Sequence, residues 1–453
     1  MDNEFLDFVH TAEDMLKQAN ELEELASQAA ADPQALGEKR EFCCQEIARL
    51  TEIVREINFF FLQPYESKFQ DIIDAVAVAE VYELPSLVGE WQHGLSHILL
   101  SYLRTYFHDR KQLPQEEIEE AMSLTHYFMN LTDQEVGELL MMIADGCQVS
   151  APQLSFKIMM EALQTAPTML QAENITRLHS YVYRPEVIQA IEIQSCPVCG
   201  NENGEPYIAV HSYLSPAFKY DHMPVKLWMK CPKCENLYTR YTTIESLGNN
   251  FINHITPELK TRAIPRVNAT GLHLRWELLQ QLSSLTDGKD LLDVGVGKGE
   301  MLAVAQKLGF QVSAMESDIV AASDVSNLLN IPVFYTNLPA FQEDNQYSII
   351  TMGDSLDQLL NPVEGVKKAY SLLREDGILW LATPDYESGL ARLMKMEDPV
   401  LLDPKRITYF KQDGLMKLLE RTGFQVIHYT DSSLYRGSME LILKKSRKQH
   451  EEK

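Results

Sequence analysis

"LLDVGVGKGEMLAVAQKLGFQVSAMESD", residues 291–318, sets three glycines between an apolar run and a helix-like run, then closes a second apolar run with acids. Leu291–Val294 and Phe310–Met315 read as buried strands, and 299–308 between them as a helix. Ligands of an open parallel sheet bind at the carboxyl ends of its strands. Gly295, Gly297 and Gly299 stand at such an end, where a missing side chain lets a ligand approach the backbone.

Downstream the same texture repeats. "IPVFYT", "YSIITM" and "GILWLAT" follow as short apolar strands, with predicted helices at 318–329 and 362–374. Such alternation predicts a mostly parallel sheet, helices on both faces, over residues 286–446. "FQVIHYT" and "SMELILKK" lie close enough together for an antiparallel edge hairpin, and 447–453 reads as a solvated tail.

The glycine spacing narrows the ligand. A dinucleotide loop places glycine where this chain has Glu300, which opposes a phosphate, and no Gly-Lys-Ser/Thr ending is present for a nucleoside triphosphate. Asp293, two residues before the first glycine, suits an ammonium group. Glu316, ending the second strand, suits bidentate acceptance from two ribose hydroxyls. An amino acid at one end, a ribose in the middle and no phosphate describe S-adenosylmethionine.

In these motifs the region resembles the class I S-adenosylmethionine-dependent methyltransferases: "LLDVGVGKGE" is similar to their cofactor motif, "AMESD" to the ribose-binding acid, and "YSIITMGDSLDQLLNPVEGVKKAYSLLREDGILWLATPD" to their fourth strand through fifth. "DPKRITYFKQDGLMKLLERTGF" resembles a late segment of the subset related to quinone-biosynthesis O-methyltransferases. The resemblance implies that Asp293, Gly295, Gly297 and Gly299 hold the methionine moiety and Glu316 the ribose, with Asn337 near the adenine. Met352, Gly353 and Asp354 then line the sulfonium side, Asp354 being equally readable as a helix cap. The subset's Leu-Glu-His is replaced by Leu356, Asp357 and Gln358, and its late histidines by Arg406 and Thr408. Candidate bases are therefore His254 and His273, in a segment (246–285) of linker helices that in this family folds over the cofactor, and Asp385 and Tyr386 after the fifth strand. For each of these a surface or packing role is the simpler reading.

Upstream, "CPVCGNENGEPYIAVHSYLSPAFKYDHMPVKLWMKCPKCENLY" holds Cys196 and Cys199, then Cys231 and Cys234. Two Cys-x-x-Cys knuckles complete a closed tetrahedral site, the pattern of structural zinc. Strand-like stretches between the pairs make 186–245 resemble a zinc ribbon, with Glu235 where glycine is usual. Ribbons often dock nucleic acid, yet 186–285 carries nine acids and nine bases, with no basic stripe.

Residues 1–185 read as an all-α domain, with predicted helices near 38–63, 84–107, 115–129, 132–146, 152–164 and 169–182 after an initial amphipathic stretch. Residues 1–180 hold 31 acids against 11 bases, much of the net charge of −25, which repels phosphate backbones and lipid headgroups. No apolar run is long enough to span a bilayer, and unpaired cysteines fit a reducing compartment, so the expected location is cytoplasmic. The expectation is a methyltransferase for a small molecule or glycan precursor, with the helical front as an oligomerisation or protein-partner module. The alternatives are an RNA methyltransferase docked through the ribbon, or a catalytically silent cofactor-binding scaffold.

Overall fold

The computed structural model describes residues 3–31, 36–80, 82–108, 110, 112–128, 131–171, 181–219, 221–243, 253–255, 269–342, 344 and 346–445. The chain forms two compact units, Met1–Arg184 and Pro185–Lys453.

The first unit is helical: α1 (Asn3–Ala31), α2 (Leu36–Leu62), α3 (Glu66–Val78), α4 (Leu84–His108), α5 (Gln115–Thr125), α6 (Asp133–Asp145) and α7 (Pro152–Thr165). Phe5, Phe8, Val9, Ala12, Met15, Leu16, Ala19 and Leu22 put the buried stripe of α1 at helical spacing. It packs on α4, whose Trp91 is fully buried with its indole N–H donating to the Thr51 hydroxyl at 3.1 Å. The sequence reading leaves 66–78 unassigned between two prolines, yet Phe69, Ile72 and Val76 give α3 a buried face. Of the helix expected over 169–182, the described residues include a 3-10 turn at Met169–Gln171, and 172–180 lie outside the described residues.

The second unit holds every described strand. β1 (Ala190–Glu192) pairs with β5 (Tyr241–Thr243). β2 (Glu205–Val210), β3 (Lys226–Lys230) and β4 (Leu237–Thr239) form an antiparallel sheet whose fourth member comes from far downstream, β12 (Thr408–Tyr409). The cysteine segment therefore shares a sheet with the late segment.

The larger sheet runs β13-β14-β11-β10-β7-β8-β9-β6. Its parallel centre is β7 (Asp290–Val294), β8 (Gln311–Glu316), β9 (Val333–Tyr335), β10 (Tyr347–Gly353) and β11 (Leu373–Pro384). β13 (Phe424–Asp431) and β14 (Ser438–Lys445) form the antiparallel edge hairpin. The opposite edge is closed by β6 (Asn253–Ile255), antiparallel to β9, where the sequence predicts linker helix. The helix of that segment is α8 (Ala269–Ser283), while 244–252, 256–268 and the tail from 446 lie outside the described residues.

α8, α9 (Glu300–Lys307) and α10 (Ile319–Leu329) bury Leu278, Leu279, Leu282, Met301, Val304, Ala305, Ala322 and Val325 against Leu291, Ala314, Val333, Ile349, Ile378 and Trp380. α11 (Pro362–Leu372) packs against β11, and α14 (Gln412–Arg421) against β13. Two short helices, α12 (Gly389–Met394) and α13 (Pro399–Leu402), follow β11. From β7 the chain proceeds to β8 on one side and later to β10 on the other, so the strand order reverses between β7 and β10 and opens a crevice at their carboxyl ends. No helix among the described residues is long and apolar enough to cross a membrane.

Candidate functional site

The crevice contains the glycine loop. Gly295, Gly297 and Gly299 have φ of +83°, +51° and +78°, a left-handed run that side chains resist. Gly299 caps α9, and a Cβ there would meet Val325 at 3.1 Å; one on Gly295 would meet Ser355 beyond β10 at 3.1 Å. The bend thus lies tight against both α10 and the end of β10.

Asp293 ends β7 fully buried and accepts the Thr351 hydroxyl at 2.7 Å. Burial pushes its carboxyl up to about 7, and the hydroxyl offsets only part of that. A neighbouring cation would restore its charge. Glu316 ends β8, where Oε1 accepts the backbone N–H groups of Ser317 (2.7 Å) and Asp318 (2.9 Å), fixing the carboxylate at the strand end. Burial raises its pKa as well, against those two bonds.

Three other expected positions are occupied differently. The amide oxygen of Asn337 accepts the Ala340 N–H at 3.1 Å and caps a 3-10 turn. Met352 is fully buried inside the sheet, so its side chain belongs to the core. Asp354, in a left-handed conformation (φ +59°), is neither a helix cap nor open: both its oxygens accept from Arg406, at 2.7 and 2.6 Å.

Arg275 and Tyr435 are the residues sequence reasoning misses. Arg275 on α8 donates to Glu300 at 2.8 Å and to the Gly271 carbonyl at 3.0 Å, close enough to Asp293 to favour its charged form. Tyr435, in the loop between β13 and β14, lies near enough to Arg275 to feel its charge and sits so close over Gly353 that a Cβ there would lie 2.5 Å from the phenol oxygen. Burial raises the phenol to about 12, so it stays a neutral donor. The only sequence signal for either was an unexplained charge on a helix and glycine at the end of a strand.

Of the candidate bases, His254 lies on β6 beside Phe334, with its backbone alone described. His273 points to solvent, 70% exposed, and meets Glu277 at 3.3 Å on its own helix. Asp385 and Tyr386 do stand at the carboxyl end of β11. Asp385 accepts the Glu387 N–H at 3.0 Å and burial raises its pKa; the Tyr386 hydroxyl is buried without a protein partner among the described residues.

The four cysteine sulfurs all lie within 4.8 Å of one another, with Cys196–Cys234 and Cys199–Cys231 each at 3.5 Å. Zn–S bonds of about 2.3 Å in a tetrahedron put sulfurs about 3.8 Å apart, so the set fits zinc. The knuckles match: Gly200 N–H donates to the Cys196 carbonyl and Glu235 N–H to the Cys231 carbonyl, each at 2.9 Å, with φ of +69° and +58°. Glu235 takes the strained conformation usually given to glycine, and its carboxylate pairs with Lys411 at 2.9 Å. Asn236 donates to the Cys234 sulfur at 3.4 Å and accepts the Lys411 N–H at 2.8 Å, while Arg421 donates to the Val198 carbonyl. Lys411 immediately precedes α14 and Arg421 ends it, so the helix runs alongside both knuckles.

No curated protein matches this chain. Among solved structures, similar folds include the Burkholderia thailandensis 1,6-didemethyltoxoflavin-N1-methyltransferase with bound 1,6-didemethyltoxoflavin and S-adenosylhomocysteine: 13% identity, 40% of this chain and 80% of that one, TM-score 0.32. The plantazolicin methyltransferase BamL, in complex with a triazolic desmethylPZN analog and SAH, is 16% identical over 39% of this chain and 85% of its own, TM-score 0.33. The CcbJ methyltransferase from Streptomyces caelestis is 14% identical over 41% and 94%, TM-score 0.33. Residues 269–429, from the start of α8 into β13, match the family model described as "Methyltransferase domain".

Proposed function

We propose that the protein is an S-adenosylmethionine-dependent methyltransferase acting on a small molecule or glycan precursor, with structural Zn²⁺ on Cys196, Cys199, Cys231 and Cys234. The observation that carries the reading is the pairing of a buried, protonatable Asp293 with a left-handed glycine loop at the switch point, one strand away from Glu316. Asp293 takes an ammonium group; Arg275, already beside it, takes a carboxylate in exchange for Glu300; Glu316 takes the ribose hydroxyls. Acid and base together at one loop match a zwitterion rather than a phosphate.

Bound S-adenosylmethionine supplies an electrophilic methyl group on a sulfonium. The chain's own contribution is alignment of an in-line displacement, the larger part of such an acceleration. Tyr435 and Gly353 close the sulfonium side, and Asp385 and Tyr386 face the acceptor side, where Asp385 with its raised pKa is the residue placed to hold an acceptor proton. His254 stays a candidate base, whereas the exposure of His273 speaks for a surface role. Asn337, Met352 and Asp354 keep backbone roles in the cofactor crevice, their side chains being committed elsewhere. The ribbon frames this wall, the cytoplasm is the compartment that suits its thiols, and the acidic helical unit serves as a protein-partner or self-association surface.

Incubation with methyl-labelled cofactor and fractionated extract tests the reading: label should enter a small-molecule or glycan fraction. Label confined to RNA would replace it with the ribbon-docked RNA enzyme. A scaffold that binds cofactor without transfer is favoured by one observation, Arg406 locked among carboxylates where related enzymes carry histidine. Measurable cofactor affinity with no labelled product in any fraction would decide for it.

A further inference from the structure

The two departures noted in the sequence, Asp357 after β10 and Arg406 in the late segment, come together in space. Arg406, 11% exposed, spans Asp354 with both terminal nitrogens, reaches Asp357 with one of them, and turns Nε toward Asp403 at 3.4 Å. Asp357 is completely buried, and one of its oxygens has no partner among the described residues. Such a cluster needs an outside constraint, because a bare Asp354 in the left-handed region would relax to an ordinary conformation.

The constraint comes from the cysteine segment. Lys226 on β3 is buried, and its ammonium donates to the backbone carbonyls of Asp403 (2.8 Å) and Arg406 (2.6 Å). Burial draws it down to about 7, although Asp403 and Asp357 resist. A lysine so placed fixes a peptide segment. β3 runs directly into Cys231, and its neighbour β4 runs back from Asn236. Backbone bonds continue the path: Thr239 N–H donates to the Ile407 carbonyl at 2.9 Å, and Ile407 N–H to the Asp357 carbonyl at 2.8 Å. One ladder of hydrogen bonds thus links the cysteine centre, through β3, β4 and β12, to the residues after β10.

We propose that Lys226 and Arg406 are positioning residues that couple the cysteine centre to Asp354, so that metal loading sets the geometry of the segment 354–358 at the carboxyl end of β10. The inference rests on the reading of the cysteines as a zinc site and of the end of β10 as part of the cofactor crevice. It does not make the metal a participant in transfer.

Amide hydrogen exchange on the full chain, zinc-loaded and after EDTA, tests it, with zinc content and far-UV dichroism measured on each sample. In wild type, EDTA should accelerate exchange across 354–358 at least tenfold. Lys226→Met and Arg406→Ala, with zinc retained, should show the same acceleration, and EDTA should then add less than threefold there. Arg406→Lys, which keeps the charge and one donor nitrogen, should restore part of the protection. Should Lys226→Met lose zinc or unfold, Arg406→Ala, outside the cysteine segment, decides alone. Unchanged exchange at 354–358 on zinc removal, or full additivity of EDTA and Arg406→Ala, would overturn the coupling. Cofactor titration of the same samples is a separate readout: absence of binding in wild type would remove the methyltransferase reading and leave the exchange result standing.

Discussion

Asp293 is an acid that burial holds partly protonated near neutrality, even with Arg275 beside it. Its folded pKa is raised, so the folded state holds a proton that the unfolded chain has lost between about pH 4 and about pH 7, and stability contributed by this group falls as pH rises through that window. An arriving ammonium group demands the charged form. Affinity for S-adenosylhomocysteine should therefore rise between pH 6 and pH 8, with proton release visible as a buffer-dependent binding enthalpy. Asp293→Asn should weaken binding about tenfold or more and abolish that pH dependence. Glu316→Gln should cost a similar factor, by loss of charge-assisted acceptance from the ribose. Binding by Asp293→Asn that kept the wild-type pH profile would assign the proton elsewhere. Both acids were picked out in sequence by position, Asp293 one residue before the end of β7 and Glu316 at the end of β8, and strand ends are where open sheets bind. Arg275 and Tyr435 were not, because neither has a local pattern: one reaches the loop from a preceding helix, the other from a hairpin more than a hundred residues downstream. Asp354 was read by position alone, and its partner Arg406 is fixed only by tertiary contact.

Among the elements, the loops between strands carry the constraint. Gly299→Ala combines a left-handed φ with a contact to Val325, costing about 1–2 kcal/mol for the backbone alone, and should lower the midpoint of thermal unfolding. Gly353→Ala should displace the Tyr435 ring and weaken cofactor binding more than it weakens the fold. Glu235→Gly runs the other way. Relief of a left-handed side chain outweighs a solvent-screened ion pair to Lys411, so the midpoint of a denaturant titration should move to higher denaturant. Loss of stability there would mean that the Lys411 bridge is worth more than the strain. Parallel strands and the edge hairpin were legible because buried strands are short and uniformly apolar. β6 was not: three residues borrow their pairing from β9, and "NHI" has no strand pattern of its own. α3 was left unassigned between flanking prolines, although Phe69, Ile72 and Val76 stand at helical spacing.

Over the whole molecule, each unit has its own buried core, Met1–Arg184 around α4 and Pro185–Lys453 around the parallel sheet. Calorimetric unfolding should resolve into two transitions, and EDTA or Cys231→Ser should lower the one that S-adenosylhomocysteine raises, leaving the other within a degree or two. Joint movement of both would contradict independent cores. The shift in texture is visible in sequence, helical periodicity giving way to cysteine knuckles and then to alternating strands and helices. The sharing of β12 between the cysteine sheet and the late segment was not, because strand partners distant in sequence leave no local mark.

Isothermal titration calorimetry of the zinc-loaded full chain with S-adenosylhomocysteine, beside a control with reduced nicotinamide dinucleotide, bears most directly on the crevice between β7 and β10. The account predicts saturable heat at one site per chain for the nucleoside thioether, lost with Asp293→Asn and Glu316→Gln combined, and none for the dinucleotide. Silence with the thioether and saturation with the dinucleotide would contradict it.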